Sequence, residues 1–157
     1  MEVENHHSIL LVISALIIGI CGCPQKPTHT ASYYNAQNDV KITLELYHSH
    51  PYLAEYDRVL VFGSKEEIFD SRELSSDTGG YAAANLFRCG NRSYLLDGYA
   101  TNEFIAVLGA KFEDGECMSP KKKYLGIFEG AGSKLWRFCP AEQCPEESLR
   151  SKQADVF

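Results

Sequence analysis

Short apolar-patterned segments separated by turn-forming residues fill most of this chain, and one segment near its start breaks the pattern. Residues 9–20 (ILLVISALIIGI) are uniformly apolar or small, with no alternation. From position 40 the pattern changes character. Val40, Ile42, Leu44 and Leu46 alternate with Lys41, Thr43, Glu45 and Tyr47, the period-two signature of a strand buried on one face. Further strands are predicted over 58–62, 67–69, 92–96, 103–108, 122–128 and 134–138. Turn chemistry separates them at Gly63-Ser64, Asp77-Thr78-Gly79-Gly80, Cys89-Gly90-Asn91, Asp97-Gly98, Asp114-Gly115 and Gly130-Ala131-Gly132. Residues 81–88 fit either two helical turns closed by Gly90 or a strand packed closely through its alanines, and the strand is the favoured reading. These elements predict a mainly β fold over residues 40–145, an antiparallel β-sandwich or barrel-like meander of about seven or eight short strands. Segments 59–62 and 104–108 are apolar on both faces and are expected to be the most central strands. Residues 23–39, polar and Pro-containing, are expected to form a flexible tether, and 146–157 a frayed or short helical tail.

The early apolar run is too short to cross a bilayer comfortably. A spanning helix needs about 20 apolar residues, because each adds only ~1.5 Å against a hydrocarbon core of ~30 Å. Its length is that of a signal-peptide apolar region, so residues 1–22 are expected to be a cleaved export leader. The run closes on Ile20-Cys21-Gly22-Cys23. This segment resembles the lipobox of bacterial lipoprotein precursors, an aliphatic residue, a variable one, a small one and then a cysteine. The resemblance covers the first 23 residues alone. It implies cleavage between Gly22 and Cys23, a diacylglyceryl thioether on the Cys23 sulfur, and acylation of the new amino terminus with palmitate-like chains. It also implies a bacterial membrane address, lipid-anchored and facing the periplasm or the cell exterior. Two or three acyl chains hold a protein on a bilayer essentially permanently, whereas one does so only marginally.

Composition agrees with one exported globular domain. The 157 residues are 45% hydrophobic and 11% aromatic, and removal of residues 1–22 leaves 135, enough for a single core. The formal charge of −6 argues against nucleic acid as a partner, since such domains carry a basic field. The six cysteines divide usefully: Cys21 departs with the leader, Cys23 carries lipid, and Cys89, Cys117, Cys139 and Cys144 remain as an even set suited to two disulfides. Four cysteines allow three pairings. Cys139 with Cys144, across four residues, and Cys89 with Cys117, between turns, is the expected one.

Candidate chemistry is sparse. His48-Ser49-His50-Pro51 ends the first patterned strand, and on an extended chain His48 and His50 share a face, able to chelate a metal with Glu45, Glu55 or Asp57 as a further ligand. The plainer reading is a polar exit from strand to loop. Lys121-Lys122-Lys123 beside Pro120 reads as a solvated strand entrance, and Asp57-Arg58 and Asp70-Ser71-Arg72-Glu73 as solvated strand faces. The sequence carries no Gly-x-Ser-x-Gly, phosphate-cradling or His-Glu-x-x-His motif. Nine tyrosines are either a binding surface of amphipathic rings or ordinary strand residues. The expectation is therefore a non-enzymatic envelope lipoprotein that binds a protein or glycan partner, with no cofactor beyond the lipid at Cys23. The rival is a metal-binding protein or metal-dependent hydrolase centred on His48 and His50.

Overall fold

The computed structural model describes residues 25–50, 52–53, 55–77, 83–91, 93–98, 101–117, 120, 122–130 and 135–146. Residues 1–24 with Cys23, Pro51, Tyr81, Ala82, Lys121 and the residues beyond Glu146 lie outside them.

Among the described residues there are ten strands and no helix: β1 (His29–Asn35), β2 (Val40–His48), β3 (Tyr56–Gly63), β4 (Ile68–Asp77), β5 (Ala84–Cys89), β6 (Ser93–Gly98), β7 (Thr101–Ala106), β8 (Lys111–Glu113), β9 (Lys122–Gly130) and β10 (Trp136–Pro140). They form two antiparallel sheets, β1-β2-β3-β4 and β10-β9-β5-β6-β7-β8. The sheets pack face to face as an open sandwich, with β1 beside β10 at one seam and β4 beside β8 at the other. The mainly β, antiparallel expectation holds, with more strands than the pattern suggested.

The core follows from alternation. Val40, Ile42, Leu44 and Leu46 of β2, Leu60 and Phe62 of β3, Ala84 and Leu86 of β5, and Tyr94 and Leu96 of β6 are buried, and Ile105, Phe112 and Phe128 close the interior between the sheets. Each such large side chain contributes roughly 1.5–3 kcal/mol on leaving water. The seams are closed by side chains rather than ladders. Trp136 Nε1 donates to the Leu44 carbonyl at 3.2 Å, and the Phe112 N–H donates to Asp70 Oδ2 at 3.1 Å. Both expected disulfides are present, Cys89 to Cys117 and Cys139 to Cys144, with Cα–Cα distances of 5.2 and 5.8 Å.

Several expectations are corrected. Residues 29–35, expected within the tether, are the edge strand β1, in register with β2 from His29 opposite Leu46 to Asn35 opposite Val40. Their own pattern is weakly apolar because an edge strand buries little; only Ala31 is fully enclosed. Segment 104–108 is not central: β7 lies next to the edge strand β8, and Leu108 is in the following turn with 74% of its surface exposed. The ambiguous segment is β5, paired on both sides by β6 and β9. Arg58, read as part of a solvated face, is 2% exposed. It stands in phase with Leu60 and Phe62 and so points between the sheets, where its guanidinium donates to the Ser75 carbonyl at 2.7 Å and to Thr101 Oγ1 at 3.0 Å.

Candidate interaction surface

The register of the four-stranded sheet sends every second residue outward. Lys41, Thr43, Glu45 and Tyr47 of β2 fall beside Thr30, Ser32 and Tyr34 of β1 and beside Asp57, Val59 and Val61 of β3, with Ser71 and Glu73 of β4 completing the rows. Two shallow depressions lie on this face. One, of about 280 Å³, is lined by Thr30, Thr43, Glu45 and Val61 and is bounded by residues 63–68. The other, of about 520 Å³, is lined by Gln25, Tyr47, Asp57, Val59 and Glu73.

Local hydrogen bonding stiffens these walls. Ser64 Oγ accepts the Glu67 N–H at 2.9 Å and the Ser64 N–H donates to the Glu67 carbonyl at 2.8 Å, a tight turn that carries Lys65 to Asp39 Oδ1 at 3.2 Å. Ser32 and Thr43 hydroxyls are 2.8 Å apart across β1 and β2. Tyr47 Oη donates to Glu45 Oε2 at 2.7 Å, and that bond, with burial second, pushes the phenol up to about 12. Tyr34 donates to Asp39 at 3.0 Å, which also raises its pKa. The face thus presents acids and tyrosines on a rigid floor that includes Val59 and Val61.

The outer face of the six-stranded sheet differs. Asn85, Phe87, Leu95 and Ile127 project there and are all buried. Residues 140–146 turn back over part of it, so that Ala83, Ile127, Cys139 and Cys144 form a second small apolar cluster. Lys122 holds its ammonium 3.7 Å from the Phe87 ring centroid, with the Tyr124 ring 5.6 Å away on the same residue. Lys122 and Lys123 are exposed at the start of β9. The centre of this face is thus buried, while Asn102 and Arg137 remain exposed on it.

The histidines expected as ligands stand apart from both depressions. β2 ends at His48; Ser49 and His50 belong to the bend that the Ser49 N–H to Glu55 carbonyl bond closes at 3.2 Å. The His48 ring packs on Tyr56 with centroids 4.7 Å apart, and His29 meets the same tyrosine at 5.7 Å. His50 Nδ1 accepts the Tyr52 N–H at 3.2 Å. Among the described residues the ligand atoms that converge as a trio are those of Glu129, Cys139 and Cys144, where the two sulfurs are joined as a disulfide. Neither His48 nor His50 is in such a group with Glu45, Glu55 or Asp57.

No protein-family model, curated protein or solved structure matches the chain. The surface residues were missed as a site because the sequence marks them only as the polar half of an alternation. Lys41, Thr43, Glu45 and Tyr47 were legible as outward-facing, but their neighbours from β1 and β4 were not.

Proposed function

We propose that this protein is exported, anchored through lipid on Cys23, and uses the outer face of its four-stranded sheet to bind a protein or glycan partner in the bacterial envelope. The observation that carries the binding reading is the contrast between faces. The six-stranded sheet buries Asn85, Phe87, Leu95 and Ile127 on its outer face, with residues 140–146 turned back over part of it, while the four-stranded sheet leaves Tyr47, Asp57, Val59, Val61 and Glu73 lining open depressions. Tyrosine and short polar side chains on a rigid sheet suit a partner with mixed polar and apolar surface, because they bury area at small cost in side-chain freedom. The lipobox resemblance and the even set of four remaining cysteines support the anchor.

Photo-crosslinking in intact cells tests the binding face. A photoreactive residue at exposed Ser71 or Glu73 is expected to capture a discrete partner, and the same residue at exposed Asn102 on the other sheet is not. Capture from Asn102 alone would reverse the assignment. Intact mass and cell fractionation of wild type against Cys23→Ser test the anchor. Wild type is expected in membranes with added acyl mass, and a soluble wild type of unmodified mass rules the anchor out.

A further inference from the structure

The chain runs into the sandwich at the end formed by His48, Tyr56 and Trp136. It is hydrogen-bonded there at Thr28. The Thr28 N–H donates to the Leu46 carbonyl at 2.7 Å, the His48 N–H donates to Thr28 Oγ1 at 3.3 Å, and Gln25 lines a depression together with Tyr47, Asp57 and Glu73. Thr28 is five residues after Cys23, a reach of at most ~17 Å. A lipid on Cys23 therefore leaves the domain little slack, unlike a long tether.

That same end carries three large apolar side chains in water. Tyr52 and Leu53, in the loop joining β2 and β3, are 89% and 51% exposed, and Leu135, immediately before β10, is 60% exposed. Scattered exposed apolar residues are ordinary on a protein surface, and Tyr34, Ile68, Phe69 and Leu108 are exposed at the opposite end. The trio is distinguished by lying at the end of the sandwich where the chain that follows Cys23 enters it. Tyrosine favours the head-group level of a bilayer, with its ring toward the acyl chains and its hydroxyl in water, and leucine inserts just below.

We propose that Tyr52, Leu53 and Leu135 dip into the phospholipid head-group region beside the lipidated Cys23, so that the domain stands on the bilayer by this end. The inference rests on the anchor reading above. The acyl chains supply the affinity, and the three side chains, held at high local concentration by the short connection, supply orientation. The strands then run away from the membrane and the four-stranded face is presented sideways into the envelope space.

The test uses full-length lipidated protein in vesicles of phosphatidylethanolamine and phosphatidylglycerol, with a Tyr52→Trp variant, whose position in an exposed loop leaves the fold undisturbed. Relative to wild type, which contributes Trp136 alone, the added emission is expected to be blue-shifted and to be quenched when lipids brominated near the head-group end of the chain replace part of the bilayer. Adding Leu53→Asp is expected to abolish that quenching while the protein still floats with the vesicles. Floating protein whose added emission is that of a water-exposed indole, unquenched by brominated lipid, overturns the docking and leaves the anchor standing. Protein that does not float overturns both.

Discussion

Gly126 shows how much one backbone position decides. It lies in β9 at φ +149°, where the register slips between Leu86 opposite Gly126 and Phe87 opposite Tyr124, leaving Leu125 as the extra residue of a bulge. The Leu125 carbonyl accepts the Ala141 N–H at 2.9 Å, so the bulge also steers the chain after β10. A Cβ at 126 would collide with the Cys139 carbonyl and the Phe138 ring. Gly126→Val is expected to lose about 2–5 kcal/mol, read from the urea midpoint at unchanged m-value. The tyrosines give a second expectation at this scale. Burial, with Tyr94 next, raises Tyr33 to about 12, and the bond to Glu45 raises Tyr47 to about 12. Both folded values lie above the ordinary 10, so the neutral phenols favour the fold fully below pH 10. That contribution is lost as pH rises from 10 through 12. Ultraviolet titration should show two phenols ionising near pH 12, and Glu45→Gln should bring Tyr47 down while leaving Tyr33 unmoved.

Among the elements, the two disulfides pin different things. Cys89 to Cys117 joins the end of β5 to the segment after β8, a sequence separation of 28, whereas Cys139 to Cys144 closes a separation of 5 beside β10. Loop-closure entropy then assigns about 3.5 kcal/mol to the first and about 2 kcal/mol to the second. Paired Cys→Ala variants, unfolded in urea, are expected to rank in that order. The shorter bridge has a further local role, since it holds residues 140–146 over Ile127 and Ala83. Its removal should speed amide exchange in β9 and β10 more than in β2. Parity pointed to two bridges and left three pairings open, of which the expected one is formed. β1 was not, because Thr30, Ser32 and Tyr34 face water and Ala31 is its single enclosed residue, so nothing local separates it from a polar linker. Its partner supplies the missing information: β2, strongly patterned, offers an edge that β1 completes.

At the scale of the molecule, Arg58 ties the layers together. Its guanidinium reaches from β3 to Ser75 of β4 and across to Thr101 of β7 in the other sheet. Truncation leaves polar groups without their donor and a cavity where the side chain packed, so Arg58→Ala is expected to lose roughly 3 kcal/mol or more in denaturant unfolding. The β4 seam adds the Arg72 to Glu103 ion pair at 2.7 Å and the Asp70 contact to β8, both more exposed to water and each contributing less. With the sheets fixed, the remaining asymmetry is which outer face the chain covers. Residues 140–146 cover part of the six-stranded one, and the four-stranded one stays open.

The sequence by itself determined what short-range chemistry controls. Alternation over 40–47 placed Val40, Ile42, Leu44 and Leu46 inward, turn residues divided the strands, and the even set of four cysteines pointed to two bridges. Tertiary structure decided everything that depends on residues distant in the chain: the edge strand β1, the burial of Arg58 and the peripheral place of β7. It also set the grouping of Thr30, Glu45, Val59 and Glu73 on one surface. The physical reason is that a strand's face is written in its own period of two, while its neighbours are chosen by long-range pairing that no local pattern encodes.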